Sequence, residues 1–231
     1  YSVPPTAVQA IFAALLTKVG IYALIRTFTL MFPHKPEVTH LILGVMAGLT
    51  IILGCMGAFA GKDVRTIASY NVIIGVGFIL IGLAVGNEYG YAGAVYYLIH
   101  DILAKALLFL LVGMMTYLTG EIVVKNMNGL IRNYPLFGWI YFIVMVALAG
   151  IPPLSGFIGK VLIGQGAIEG GNYLLLALGF ASSVIVLYSL LRIFLASFYG
   201  ETSISDDDKV AIPQFALVSF VMLAVSLVLL G

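Results

Sequence analysis

His100, Asp101 and Lys105 stand together in the run YYLIHDILAKALLFLL, which spans residues 96 to 111. An imidazole with an unperturbed pKa of about 6.5 and an amine five residues on are groups that can pass protons near neutral pH. Asp101 and Lys105 share a helical face one turn apart and can pair. Two readings are therefore open for this run: a proton relay, or a neutralised ion pair beside a core histidine. Lys18 stands in PPTAVQAIFAALLTKVG, about 13 residues past Pro5 and so roughly 20 Å along a helix. With Asp101 assigned to Lys105, no acid is left over for Lys18. Lys160 stands in LAGIPPLSGFIGKVLIGQG, seven residues after Pro153. Pro152 and Pro153 remove two helical donors and clash with the preceding turn, so this segment is a broken helix. A proline kink alone is common, whereas a break beside a buried lysine is the pattern of an ion pathway.

These residues need a setting. The chain of 231 residues is 62% hydrophobic and only 9% charged, with a mean hydropathy of +1.14. A soluble domain is about half apolar and about a quarter charged. A surface this poor in charge must face lipid, which excludes a soluble enzyme, a disulfide scaffold and a disordered chain. A net charge of +1 excludes nucleic-acid partners, which need a basic patch. Cys55, the one cysteine, reads as a small packed hydrophobe. No zinc spacing, phosphate loop or nucleophilic triad occurs, so no cofactor, metal or catalytic residue is assigned. The start at Tyr1, on the loop-like SVPP, reads as the edge of a longer protein.

A bilayer span needs about 20 apolar residues. Seven segments meet that need, over residues 5–32, 38–60, 67–86, 91–118, 135–167, 172–199 and 210–231. The fold class expected is an all-α polytopic membrane protein with seven spans, the fifth broken by proline. Lys18, His100, Asp101, Lys105 and Lys160 fall inside spans, where each charge costs about 2.5–3.5 kcal/mol on insertion scales. His34 and His40 fall in an outer connector and read as solvated. Ser182, Ser183 and Ser189 read as bonding back to their own helix or packing closely. The connector 119–134 mixes apolar residues with Lys125 and Arg132, and is either an amphipathic interfacial stretch or a plain loop. Lys62, Arg65, Lys125, Arg132, Arg192 and Lys209 fall on the side where the chain starts, against Arg26 and Lys35 opposite. That places the Tyr1 end in the cytoplasm and the Gly231 end outside. Asp206 to Asp208 do not count against this orientation, since acids weigh little in it. IYALIRTF (21–28) and LYSLLRIF (187–194) share Tyr, Leu, Arg and Phe at one spacing. They sit on spans that cross in opposite directions, as an inverted repeat requires.

The three motifs around Lys18, Lys105 and Lys160 resemble the proton-translocating antiporter family. That family includes Mrp-type Na+/H+ antiporter subunits and the large membrane subunits of respiratory NADH:quinone oxidoreductase. The resemblance covers essentially the whole chain and is most marked for D-type Mrp subunits. It implies a fourteen-helix subunit with two inverted five-helix repeats, of which this chain holds helices eight to fourteen. Residues 1–36 then close the first repeat, 37–200 form the second, and 201–231 form the last helix. The resemblance makes Lys18, His100, Lys105 and Lys160 the proton pathway, with Asp101, Pro152 and Pro153 as modulators. Position 160 is Lys in D-type subunits and Glu in some relatives. Asp101 departs from the pattern, since Bacillus-like subunits are expected to carry a second His there.

The function expected is proton translocation within a multisubunit Na+/H+ antiporter of a bacterial inner membrane, in contact with other subunits and lipid. The alternatives are a proton-pumping subunit of a respiratory dehydrogenase or membrane-bound hydrogenase, and a membrane scaffold that transports nothing.

Overall fold

A computed structural model describes residues 5–31, 36–200 and 210–231 of the chain. His34, Lys35, Asp206 to Asp208 and Lys209, used above for orientation or read as solvated, lie outside the described residues. The first span is α1 (Thr6–Ile11), a π-helical turn (Phe12–Leu16), α2 (Thr17–Arg26) and a second π turn (Thr27–Met31). Next come α3 (Pro36–Ala60), α4 (Val64–Val85) and α5 (Glu88–Thr119). A 3-10 turn (Val124–Asn126) and the short α6 (Leu130–Asn133) lead to α7 (Pro135–Ala149) and α8 (Ser155–Glu169). The chain continues with α9 (Tyr173–Phe198) and α10 (Gln214–Leu229).

Five of these helices are each long and apolar enough to cross a bilayer, whereas α7 and α10 are shorter apolar helices. The expected break in the fifth span falls between α7 and α8, at Gly150 to Leu154. Pro152 and Pro153 sit inside it, joined by a cis peptide bond. Gly150, at φ 80°, ends α7 in the left-handed conformation that glycine adopts without a steric penalty. Asn87 starts α5 by accepting a hydrogen bond from the Gly90 amide at 2.9 Å. Its Nδ2 donates to the Gly166 carbonyl at 2.8 Å and so fastens the end of α8 to the start of α5.

The bundle is layered around α4 and α5. Of the most apolar window of α4, 78% is buried, against 28% in α9, so α4 is central and α9 turns much of its surface outward. The outward residues are apolar, as lipid requires: Leu41, Leu53, Val184, Phe215 and Leu229 are all exposed. Helices α5 and α8 approach closely through glycines. A β-carbon on Gly93 would lie 2.7 Å from the Ile163 backbone nitrogen, and one on Gly159 2.9 Å from Tyr97 Cβ. Small residues of this kind let membrane helices pack backbone to backbone.

The connector 119–134 is a loop folded onto the bundle. Val124, Met127 and Leu130 are buried in the core. An antiparallel bridge pairs Asp63 with Val123, and the Gly129 amide donates to the Tyr199 carbonyl at 3.1 Å. Most of its apolar residues therefore face protein, with Ile122 exposed, which favours the plain-loop reading. Arg192 donates to the Phe59 and Gly61 carbonyls at the same end. Lys62, Arg65, Lys125, Arg132 and Arg192 thus gather at one end of the bundle, called here the basic end. Arg26 lies at the other, in a groove with Tyr91.

His40 differs from its reading as a solvated residue. It sits over Gly86, whose added β-carbon would collide with the imidazole, and its Nε2 is 3.5 Å from the Tyr91 hydroxyl. Gly86 has no side chain, and that opens the space the ring fills. Cys55 is buried and free, as a packed small hydrophobe should be.

Candidate functional site

Lys18 stands on the buried face of the first span. Ala10, Ala13 and Ala14 are buried, and so are Ile21 and Ile25. Lys18 follows Ala14 by four residues and precedes Ile21 by three, the spacing of one helical face. The π turn over Phe12–Leu16 ends just before Lys18. Its Nζ donates to the Ala13 carbonyl at 3.1 Å and lies 2.6 Å from Asp101 Oδ2.

Asp101 is wholly buried on α5. The expected pair with Lys105 is the looser of its two contacts, with Nζ to Oδ1 at 3.9 Å. The expectation that Lys18 has no acid is thus corrected: Asp101 is its partner. Gly75 on α4 makes the space, since a β-carbon there would stand 2.8 Å from Asp101 Oδ1. Two lysine side chains thus flank one carboxylate.

His100 Nδ1 lies 2.8 Å from Ser155 Oγ, the first residue of α8. The imidazole of α5 therefore touches the broken segment where its second half starts. Gly156 follows with no side chain, and a β-carbon on it would be 2.9 Å from His100 Nε2.

Lys160 sits on α8 in a cradle that the break creates. The last carbonyls of a helix have no intrahelical partner, and that end of its dipole favours cations. Lys160 Nζ donates to the Leu148 and Ala149 carbonyls at 2.9 and 2.8 Å, both in the last turn of α7. A third bond, 2.9 Å long, goes to Ser183 Oγ on α9. The rings of Phe78 and Tyr97 lie 5.5 and 5.8 Å from the ammonium, within cation–π range. The aliphatic stem passes over Gly150, where a β-carbon would fall 2.5 Å from Lys160 Cδ.

Lys18, His100, Lys105 and Lys160 are thus all enclosed by the same bundle. Asp101 joins Lys18 to Lys105, and Ser155 joins His100 to α8. Pro152 and Pro153 lie in the gap between the helix that supplies the carbonyls and the helix that supplies the lysine. Several polar residues here were missed in the sequence. Ser155 is one. Gln9 and Asn71 are fully buried, and Asn71 Nδ2 donates to Ser189 Oγ at 3.0 Å, tying α4 to α9. Ser182, Ser183 and Ser189 do bond back to their own helix, but Ser183 and Ser189 also take partners elsewhere.

The family model for the NADH:quinone oxidoreductase/Mrp antiporter transmembrane region matches residues 1–228. The D-type subunit of the Na(+)/H(+) antiporter of Bacillus subtilis is 49% identical over 201 residues, covering 87% of this chain and 41% of that protein. The putative antiporter subunit mnhD2 of Staphylococcus aureus is 43% identical over 231 residues, covering 100% of this chain and 46% of that protein. The chain therefore spans less than half the length of these relatives. The Mrp complex from Dietzia sp. has a chain that superposes at a TM-score of 0.90, with 27% identity, over 98% of this chain and 50% of that one. A chain of the archaeal membrane-bound sulfane sulfur reductase superposes at 0.93 with 32% identity, over 100% and 40%. One from respiratory complex I of Thermus thermophilus does so at 0.88 with 28% identity, over 98% and 48%. An all-helical membrane bundle with lysines buried at its centre, matched by this family model over nearly its full length, belongs to the NADH:quinone oxidoreductase/Mrp antiporter transmembrane family.

Proposed function

We propose that this chain is part of the proton-translocating membrane subunit of a multisubunit Na+/H+ antiporter, a secondary transporter and not an enzyme. The observation that carries the reading is the enclosed line of ionisable groups: Lys18, Asp101 and Lys105 in contact, His100 against Ser155, and Lys160 in the carbonyl cradle. Charges inside a membrane bundle are kept where they serve a path for ions or protons. Lys18, His100, Lys105 and Lys160 relay protons, and Asp101 sets the charge balance between Lys18 and Lys105. Pro152 and Pro153 keep the α7 carbonyls free for Lys160. Residues 1–36 close a first repeat, 37–200 make a second inverted one, and 201–231 supply a final helix. The basic end faces the cytoplasm of a bacterial inner membrane. Other antiporter subunits and lipid are the partners, and no bound cofactor takes part.

Identities of 43% and 49% to curated antiporter D-type subunits support the antiporter reading; the solved structures do not separate the two alternatives, with 27% identity to the Mrp chain and 28% and 32% to the respiratory ones. The test is Lys160→Ala in the intact complex, reconstituted in vesicles. Na+/H+ exchange should fall at least tenfold while assembly is kept. Exchange at the normal rate overturns the reading.

A further inference from the structure

Gln9 lies outside the set of charges and yet is wholly enclosed, at 0% exposure. Neither its amide nitrogen nor its amide oxygen meets a protein partner, and the buried Thr17 hydroxyl on the same helical span has none either. Leaving such a group unsatisfied costs about 1–3 kcal/mol, and buried polar groups without protein partners are commonly satisfied by ordered water.

The packing of α1 on α5 gives Gln9 an address. Thr6 lies over Gly113, where a β-carbon would overlap its side chain, and Lys18 touches Asp101. The span holding Thr6 and Lys18 thus runs antiparallel to α5, with Thr6 at Gly113 and Lys18 toward Asp101. Gln9 then stands level with position 110, between Lys105 and the basic end. Toward that end, Arg65 Nη2 donates to Thr116 Oγ1 at 3.2 Å, and Thr116 Oγ1 donates to the Gly113 carbonyl at 2.8 Å. At 1.5 Å per residue the level of Gln9 is about 9 Å from Thr116 and about 7 Å from Lys105. Each interval suits a file of two or three waters hydrogen-bonded end to end.

We propose that Gln9 is a water-binding residue whose amide holds ordered water between α1 and α5, linking the Arg65–Thr116 end of the bundle to Lys105. The proposal rests on the relay reading above and adds an access route on the basic side whose middle, at Gln9, is uncharged. An amide suits this place: it donates and accepts at once, so it orients water in either direction without itself holding a proton.

The test contrasts polarity with volume in the intact complex. Gln9→Leu keeps the volume and removes the hydrogen bonds. Gln9→Ser loses volume and leaves room and a hydroxyl for water. The proposal expects Gln9→Leu to lower Na+/H+ exchange at least tenfold with normal assembly, and Gln9→Ser to stay within about twofold of the parent. A packing role gives the reverse order. Exchange by Gln9→Leu at the parent rate, or by Gln9→Ser as poor as by Gln9→Leu, overturns the proposal. Lys105→Ala serves as the control for the relay itself: if it too exchanges normally, the relay reading fails, and if it is inactive while Gln9→Leu is active, only the Gln9 site fails. Should Gln9→Leu not assemble, Gln9→Cys in a Cys55→Ser background decides. A small water-soluble thiol reagent should label it faster than Val72→Cys, a position buried in the apolar core. Equal or slower labelling overturns the water site.

Discussion

Asp101 is bound more closely by Lys18, on another helix, than by Lys105, one turn away on its own: 2.6 Å against 3.9 Å. The contact across helices therefore holds the carboxylate, and the contact along α5 is the one with room to lengthen or shorten.

Removing either member of that pair should harm the complex more than removing both. Lys18→Met leaves Asp101 with only its long contact, and Asp101→Leu leaves two buried amines facing each other. Breaking a buried pair from one side costs about 3–5 kcal/mol, whereas apolar replacement of both is often close to neutral. Thermal unfolding of the purified complex should show both single variants well below the double variant.

Lys160 should respond in order of geometry. Ser183→Ala removes one of three hydrogen bonds to the ammonium, a loss of about 1.5–3 kcal/mol for a charged group, and leaves the two carbonyls in place. Gly150→Ala places a methyl within 2.5 Å of the Lys160 stem at a φ of 80°, which pushes the lysine out of its cradle. Exchange measured in vesicles should be reduced partly by the first and almost wholly by the second.

His100→Asn offers a separation of structure from proton transfer. An amide can keep a hydrogen bond to Ser155 Oγ but cannot carry a proton through the site as imidazole does. The variant complex should assemble and melt like the parent while its exchange rate drops at least tenfold. Ser155→Ala should do the opposite in part, costing about 1 kcal/mol of stability with a smaller loss of exchange.

The α5–α8 seam should not tolerate a branched side chain. Gly159→Val brings methyl groups into the Tyr97 backbone, and overpacking costs about 1–3 kcal/mol. It also spreads Lys160 on α8 away from the α5 charges. A lower melting temperature together with slower exchange is expected, and a parent-like value of both would show that the seam has slack.

The spans were readable from the chain because a bilayer imposes one length and one composition on each of them. The break was readable because Pro152 and Pro153 cannot be helical in mid-span. The partner of Lys18 was not readable, since the choice between Asp101's two lysines is made by the distance between helices, which a sequence does not carry. Ser155, Gln9 and Asn71 escaped notice for another reason: neutral polar residues are common enough in membrane helices to raise no alarm, and only their burial and partners single them out. The connector was ambiguous because its apolar residues face protein at Val124, Met127 and Leu130, which a lipid-facing pattern would equally explain.

The glycine contact between α5 and α8 also makes a seal of backbone in place of side chains. Backbone lies on backbone at Gly93 and Gly159, and packing that tight leaves little room for ordered water between the two helices. From Gly159 to Gly166 the seam runs about 10 Å at 1.5 Å per residue. On the relay proposed above, a seam so closed would keep charge held at Lys160 from leaking toward Asn87.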